Sequence, residues 1–248
     1  MRTIFPLLML TACGTTTATA PVVEADPAPL LEAMTAVQPE PLVELVEHPH
    51  TVIGTTENCP VVTVLESAPD TLREHWQGGC TLESGHEITG ELERFDGTDG
   101  AWLAGNGFRV QQGTDTVFML DGAIEIGVSG DLWLIDAAAS VCGTEHWACT
   151  EGLLSLDLAF SIYPAALFPS DYDTTVSGAL ATEDTTFTLD GAWSIDDSTC
   201  ILEPTRGMLS VQQGRHHALT LNGADNCDGC LGWQVQGQPT PGLCGLNR

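Results

Sequence analysis

The sequence predicts an all-β domain: an antiparallel meander, barrel-like or sandwich-like, tied by disulfides. Three observations carry this. From Cys59 onward the chain runs in short stretches rich in Val, Ile, Leu, Phe, Thr and Trp, separated by Gly, Asp, Asn and Pro. Few windows place apolar residues at the helical period, and 26 glycines recur too often for long helices. Nine cysteines leave an even number once the first, Cys13, is set aside, which suits an exported and cross-linked fold.

The expected strands, in order, are residues 61–66, 87–94, 101–104, 108–112, 116–120, 123–128 and 132–135. They continue with 153–162, 174–181, 186–189, 192–195, 207–212, 217–222 and 232–236. Many short strands with close turns argue a meander closed into a barrel or folded into a sandwich. Asp121-Gly122 and Asp190-Gly191 each sit between two β runs, and Asp-Gly is a strong hairpin signal, so a turn is expected at each. Residues 118–126 echo residues 187–195 around those pairs. Ile88-Thr89-Gly90-Glu91-Leu92 similarly echoes Val176-Ser177-Gly178-Ala179-Leu180, and Val110-Gln111-Gln112-Gly113 recurs as Val211-Gln212-Gln213-Gly214. The echo suggests two similar β halves, 59–165 and 174–248.

Hairpin arithmetic pairs the cysteines, because residues opposite each other in a hairpin have position numbers of constant sum. Cys59 and Cys80 are centred on Pro69-Asp70, a dipeptide suited to a type I turn. Cys142 and Cys149 flank a short loop and close it locally. Cys200 lies opposite a point near Cys227 and Cys230 across the turn at Gly214, so one of these is its partner and Cys244 takes the other. Sequence does not choose between them, nor exclude a Cys227–Cys230 bridge.

Upstream of the domain (residues 58–248), residues 13–57 read as a tether. Its start, Gly14-Thr15-Thr16-Thr17-Ala18-Thr19-Ala20-Pro21, has too little apolar surface to fold. Two pieces, 29–36 and 40–47, have short helical character. Leu42, Val43, Leu45 and Val46 give the second an apolar side that docks on the domain or stays loose.

At the N-terminus, Met1-Arg2 is a minimal positive region and residues 4–10 an apolar stretch too short to span a bilayer. Leu10-Thr11-Ala12-Cys13 then places two small residues and a cysteine after an apolar residue. This segment resembles the lipobox of bacterial lipoproteins. The resemblance covers residues 1–13 only and implies removal of a signal peptide, residues 1–12. It also implies a diacylglyceryl thioether on the Cys13 sulfur and an acyl chain such as palmitate on its amine. Several acyl chains make a durable anchor. Gly14, in place of Asp, implies outer-membrane sorting by the same resemblance. The expected location is therefore the cell envelope, lipid-anchored.

Net charge is −27, with no lysine and seven arginines: Arg2, Arg73, Arg94, Arg109, Arg206, Arg215 and Arg248. That field repels nucleic acid and anionic headgroups and attracts divalent cations or basic partners. Absence of lysine excludes Schiff-base chemistry on lysine. Cys227-Asp228-Gly229-Cys230 is a CxxC in a β context, which favours structural bridges over a redox pair or a zinc site with Cys200 and Cys244. His216-His217 point to opposite faces of a strand, and His48 and His50 fall in the tether, so all four read as surface histidines. Asp96, Asp99, Asp225 and Asp228 lie in oxygen-rich loops and are weak calcium candidates, without EF-hand spacing. No nucleophile elbow, HExxH, P-loop or dinucleotide fingerprint is present. Three functions compete. The first is a non-catalytic envelope module that binds or spaces a partner, a cationic one by charge. The second is a carrier holding an apolar ligand in a curved sheet, and the third a hydrolase using carboxylates or calcium.

Overall fold

A computed structural model describes residues 38–56, 58–144, 147–164, 171–200, 204–222, 227–228, 230–241 and 243–244. Two short helices, α1 (Glu40–Glu47) and α2 (Pro49–Ile53), come first. Strands follow as β1 (Val61–Ala68), β2 (Thr71–Gln77), β3 (Cys80–Thr81), β4 (Glu87–Gly97), β5 (Gly100–Gln112), β6 (Asp115–Ser129) and β7 (Leu132–Cys142). Then come β8 (Leu154–Tyr163), β9 (Asp171–Ala181), β10 (Thr186–Asp196), β11 (Pro204–Gln213), β12 (Arg215–Leu221), β13 (Cys230–Val235), β14 (Gln238–Pro239) and β15 (Leu243–Cys244). All belong to one antiparallel sheet. From β1 to β14 each strand pairs with the next in sequence, except that β3 caps β4 off the main path; β15 adds to β13. The expected all-β antiparallel meander is what forms. The two stretches that echo each other belong to one continuous sheet, since β8 and β9 pair from Ser155↔Ala181 to Tyr163↔Asp173.

The strands are longer than the sequence suggested, and the reason corrects one expectation. Asp121-Gly122 and Asp190-Gly191 are not turns; they lie inside the uninterrupted strands β6 and β10. Turns fall instead at Gly113-Thr114 and Gly130-Asp131. At Gly122 the backbone takes φ +112, and a Cβ there would meet the Ala138 carbonyl at 2.3 Å. Glycine is required by a close approach of the neighbouring strand, not by chain reversal. Gly191 repeats this, with the Met208 carbonyl 2.7 Å from where a Cβ would sit. The repeated stretch is thus a repeated way of bending a long strand. Phe118 and Phe187, Leu120 and Leu189, and Ile126 and Ile195 all face inward around the glycine.

The sheet has to curl. Strands such as β8 bury every second residue, so one face is apolar throughout. Thirteen strands laid flat would span roughly 60 Å at the usual strand spacing. An eight-residue helix is only about 12 Å long. Yet residues from Trp76 on β2 to Trp233 on β13 share one core cluster with α1. With only two short helices described beside it, that apolar face is buried by the sheet curving over itself, and α1 bonds to both β4 and β9 across the curve. The ladder is not closed: β1 and β14 end the run of pairings among the described residues.

Helix α1 sits within that wrap because it is apolar nearly all round. Leu42, Val43, Leu45 and Val46 are each at most 4% exposed. Each contributes about 1.5–3 kcal/mol by burial, before entropy. This moves the start of the folded region. The stretch to residue 57 was expected to be tether, but α1 and α2 are docked parts of the domain, with Ile53 also in the core. The piece at 29–36 lies outside the described residues.

Four disulfides match the register argument. Cys59–Cys80 closes the β1–β2 hairpin, which turns at Pro69-Asp70, and Cys142–Cys149 closes its short loop. Of the open alternatives the structure takes Cys200–Cys227 and Cys230–Cys244. The CxxC cysteines therefore belong to two different bridges.

Candidate functional site

The inner face is the first place to look for a ligand, and α1 occupies it. Each end of the helix is held by polar contacts. At its N-terminal end the Tyr172 hydroxyl on β9 donates to Glu40 Oε1. At its C-terminal end Arg94 Nη2 on β4 donates to the Glu47 carbonyl over 3.1 Å. Burial raises the Glu40 carboxyl above the usual carboxylate range, with Asp197 adding to the rise. Its Oε2 and the Thr174 hydroxyl, two residues beyond Tyr172 on the same inner face, are buried without a hydrogen-bond partner.

The densest polar cluster lies beside the other end of α1. Leu92, Arg94 and Asp96 alternate along β4, which turns Arg94 inward. Its Nη1 lies 3.5 Å from Glu74 Oε2, and its Nη2 lies 3.1 Å from Asp96 Oδ2. Trp76 Nε1 donates to the same Glu74 oxygen at 3.2 Å. His50, on α2, packs against the Trp76 ring at 4.2 Å with the planes tilted by 36° and comes within 3.7 Å of Glu74 through Nε2, while its Nδ1 meets the Thr55 hydroxyl at 2.9 Å. Burial lowers the His50 pKa despite the attraction of Glu74. The arginine neutralises a buried glutamate and ties α1 to the sheet. Arg94 Nη1 and Nη2 are taken up by Glu74, Asp96 and the Glu47 carbonyl while its Nε is buried without a partner, and because these contacts join α1 and α2 to β2 and β4 the cluster acts as a clasp.

One histidine differs from its expected surface role. His217 is 3% exposed, accepts from Trp233 Nε1 at 3.2 Å, and has its pKa lowered chiefly by burial. Its neighbour His216 faces out and meets the Ser210 hydroxyl at 2.9 Å, so the two point apart as the strand geometry requires. His50 is exposed as expected and joins the clasp from its outer edge. Sequence reasoning missed this cluster because its members come from four elements. The readable signal was the inward position of Arg94 between Leu92 and a strand end.

Of the loop candidates, Asp96 and Asp228 use their carboxylates locally and Asp99 uses its backbone. Asp96 takes Arg94, and the Asp99 carbonyl accepts from Val128 N–H at 3.0 Å. Asp228 Oδ1 accepts from the Cys230 amide within its own turn. Asp225 and Cys13 lie outside the described residues. Among the described residues no three of His, Cys, Asp and Glu converge as metal ligands, and no helix is long and apolar enough to cross a membrane.

Outside, the same strands present carboxylates. Asp121, Glu125, Asp136, Asp157 and Asp190 all project from the exposed face. Comparison with known protein families, with curated proteins and with solved structures finds no match.

Proposed function

We propose that this protein is a non-catalytic envelope module, anchored by lipid at Cys13, that binds a cationic partner through its outer surface. The observation that carries the reading is the seating of α1. With the helix filling the inner face, the surface left for recognition is the outer face, rich in exposed carboxylates. The lipobox-like segment supports the anchor and the acidic net charge supports the sign of the partner. The outer membrane is the proposed location, on the strength of Gly14. Complementary charge speeds encounter and weakens as salt rises.

Two measurements test this. Metabolic labelling with a fatty acid, followed by membrane fractionation, should label and retain the wild type and release Cys13→Ser. Equal retention would end the anchor. A hydrolase-substrate panel on the purified domain, with and without calcium, should show no turnover. Turnover lost on a single Asp or Glu substitution that leaves the fold intact would install the hydrolase instead. The carrier keeps one specific argument. The orphaned Glu40 and Thr174 atoms show that the polar seat of α1 is incomplete, and a helix that withdrew would leave an apolar trough. Stoichiometric uptake of a fatty acid by the intact chain would favour the carrier.

A further inference from the structure

One stretch of the outer face departs from the rest. Phe95 on β4 and Trp102 on β5 are cross-strand neighbours whose rings lie nearly parallel, 16° apart, with centroids 6.2 Å apart. Both are half-buried, and both line the same hollow. Trp102 is directly opposite Glu125 on β6, and Glu125 is directly opposite Asp136 on β7. Beside the rings, the Thr98-Asp99-Gly100 turn and residues 125–127 wall a hollow of about 320 Å³. Its lining holds two carboxylates, Asp99 and Glu125, and no basic residue.

Two features of this place call for a cation. Like charges directly across a ladder destabilise a sheet, and Glu125 and Asp136 are such a pair, with no arginine or histidine ion-paired to either among the described residues. Such a local conflict is what a binding surface retains when a ligand resolves it. Second, the chain itself shows what the Trp102 ring accepts: the Arg73 guanidinium lies over it, 6.0 Å from the centroid, while held by Glu93 at 3.1 Å. The ring face is the negative end of its quadrupole and draws a cation, and a planar guanidinium also stacks on it.

We propose that this hollow receives an arginine side chain of a basic partner protein. The guanidinium would lie against the Phe95–Trp102 pair beside Arg73 and be held by Glu125, with Asp99 at the mouth and Asp136 behind. The proposal rests on the cationic-partner reading above and gives it an address. A hollow of this size takes one side chain. A neutral sugar would also stack on aromatic rings, but it would leave the Glu125–Asp136 repulsion in place, so the carboxylate pair favours the cation.

The test uses the full chain and tetra-arginine amide as probe, with affinity read by calorimetry at low and high salt. The expected result is binding that is about tenfold weaker in Trp102→Leu/Glu125→Gln, comparable to the loss of one cation–π contact and one charge. Binding should fall with salt and be weaker for tetra-lysine amide. Glu125→Gln alone should weaken binding while raising the thermal midpoint of the free protein, because it removes the like-charge pair. That variant keeps the test sound if Trp102→Leu folds poorly. Tetra-arginine binding unchanged by Glu125→Gln would overturn this site and leave the cationic-partner reading standing. No binding at low salt to any variant would take down both. Salt-independent binding of a neutral chitooligosaccharide, lost in Trp102→Leu, would replace the arginine with a sugar.

Discussion

The two faces of one sheet obey opposite rules. Along β8 the inward residues are Leu154, Leu156, Leu158, Phe160 and Ile162, and the outward ones begin Ser155, Asp157 and Ala159. Inside, the apolar residues of the strands and of α1 form one core cluster, and the Arg94 and Glu74 charges are paired. Outside, exposed carboxylates recur along the strands, and two of them, Glu125 and Asp136, lie directly opposite each other with no ion pair to either among the described residues. The inner face has been shaped by packing and the outer face has not, so conflict on the outer face is informative where conflict inside would be fatal. Substitutions that exchange the two rules break the comparison most sharply.

The largest effect belongs to the helix inside. Leu45 is fully buried, and Leu45→Ala should cost about 2–5 kcal/mol, measured by urea unfolding. A loss below about 0.5 kcal/mol, the size typical of surface sites, would mean that α1 is not seated in the core. Next comes the strand bend. Gly122→Ala meets both a left-handed backbone and the Ala138 carbonyl, and should cost about 1–3 kcal/mol, whereas alanine at an exposed turn such as Gly130, where nothing lies within 4 Å, meets only the backbone term.

A smaller effect, with a sign set by pH, comes from Glu40. Burial raises its folded pKa above the unfolded value. The native state therefore holds the proton more tightly, and Glu40 favours folding at low pH and loses that contribution as pH rises through its folded pKa. Glu40→Gln keeps an acceptor for Tyr172 and cannot ionise. It should raise the thermal midpoint at pH 7 and leave it nearly unchanged at pH 4. An equal gain at both values would place the effect in packing and not in ionisation. Smallest of all, Asp157→Asn on the outer face should change stability by no more than about 0.5 kcal/mol. A larger change would show the outer face to be structurally constrained after all.

Much of this fold is legible in the sequence because a meander is built from neighbours. Each hairpin is local, so the centre at Pro69-Asp70 and the one near Gly214 fix register and bring Cys59 to Cys80 and Cys200 to Cys227. What failed was the distant part. Asp-Gly reads as a turn when only its own dipeptide is considered, yet the alternation Leu120, Gly122, Ile124 runs through it unbroken, and the reason for the glycine is a carbonyl on the next strand. Likewise Leu42-Val43-Glu44-Leu45-Val46 gives an apolar helix, but nothing local says that a sheet wraps it. His217 was unreadable for the same cause: its partner Trp233 comes from another strand. The paired rings of Phe95 and Trp102 and the Glu125–Asp136 opposition are also cross-strand facts, visible only once register is known.

Helix α1 is the first described element, and it comes before any of the four cross-links. Force applied to the chain ahead of residue 38 is therefore met first by the Glu40–Tyr172 bond and the apolar seat, and only afterwards by the Cys59–Cys80 bridge. Pulling α1 and α2 free would leave all four bridges of the sheet unbroken. It would pay out residues 38–58, about 70 Å of extended chain. The two helices thus act as a latch whose release lengthens the chain ahead of β1 without dismantling the sheet.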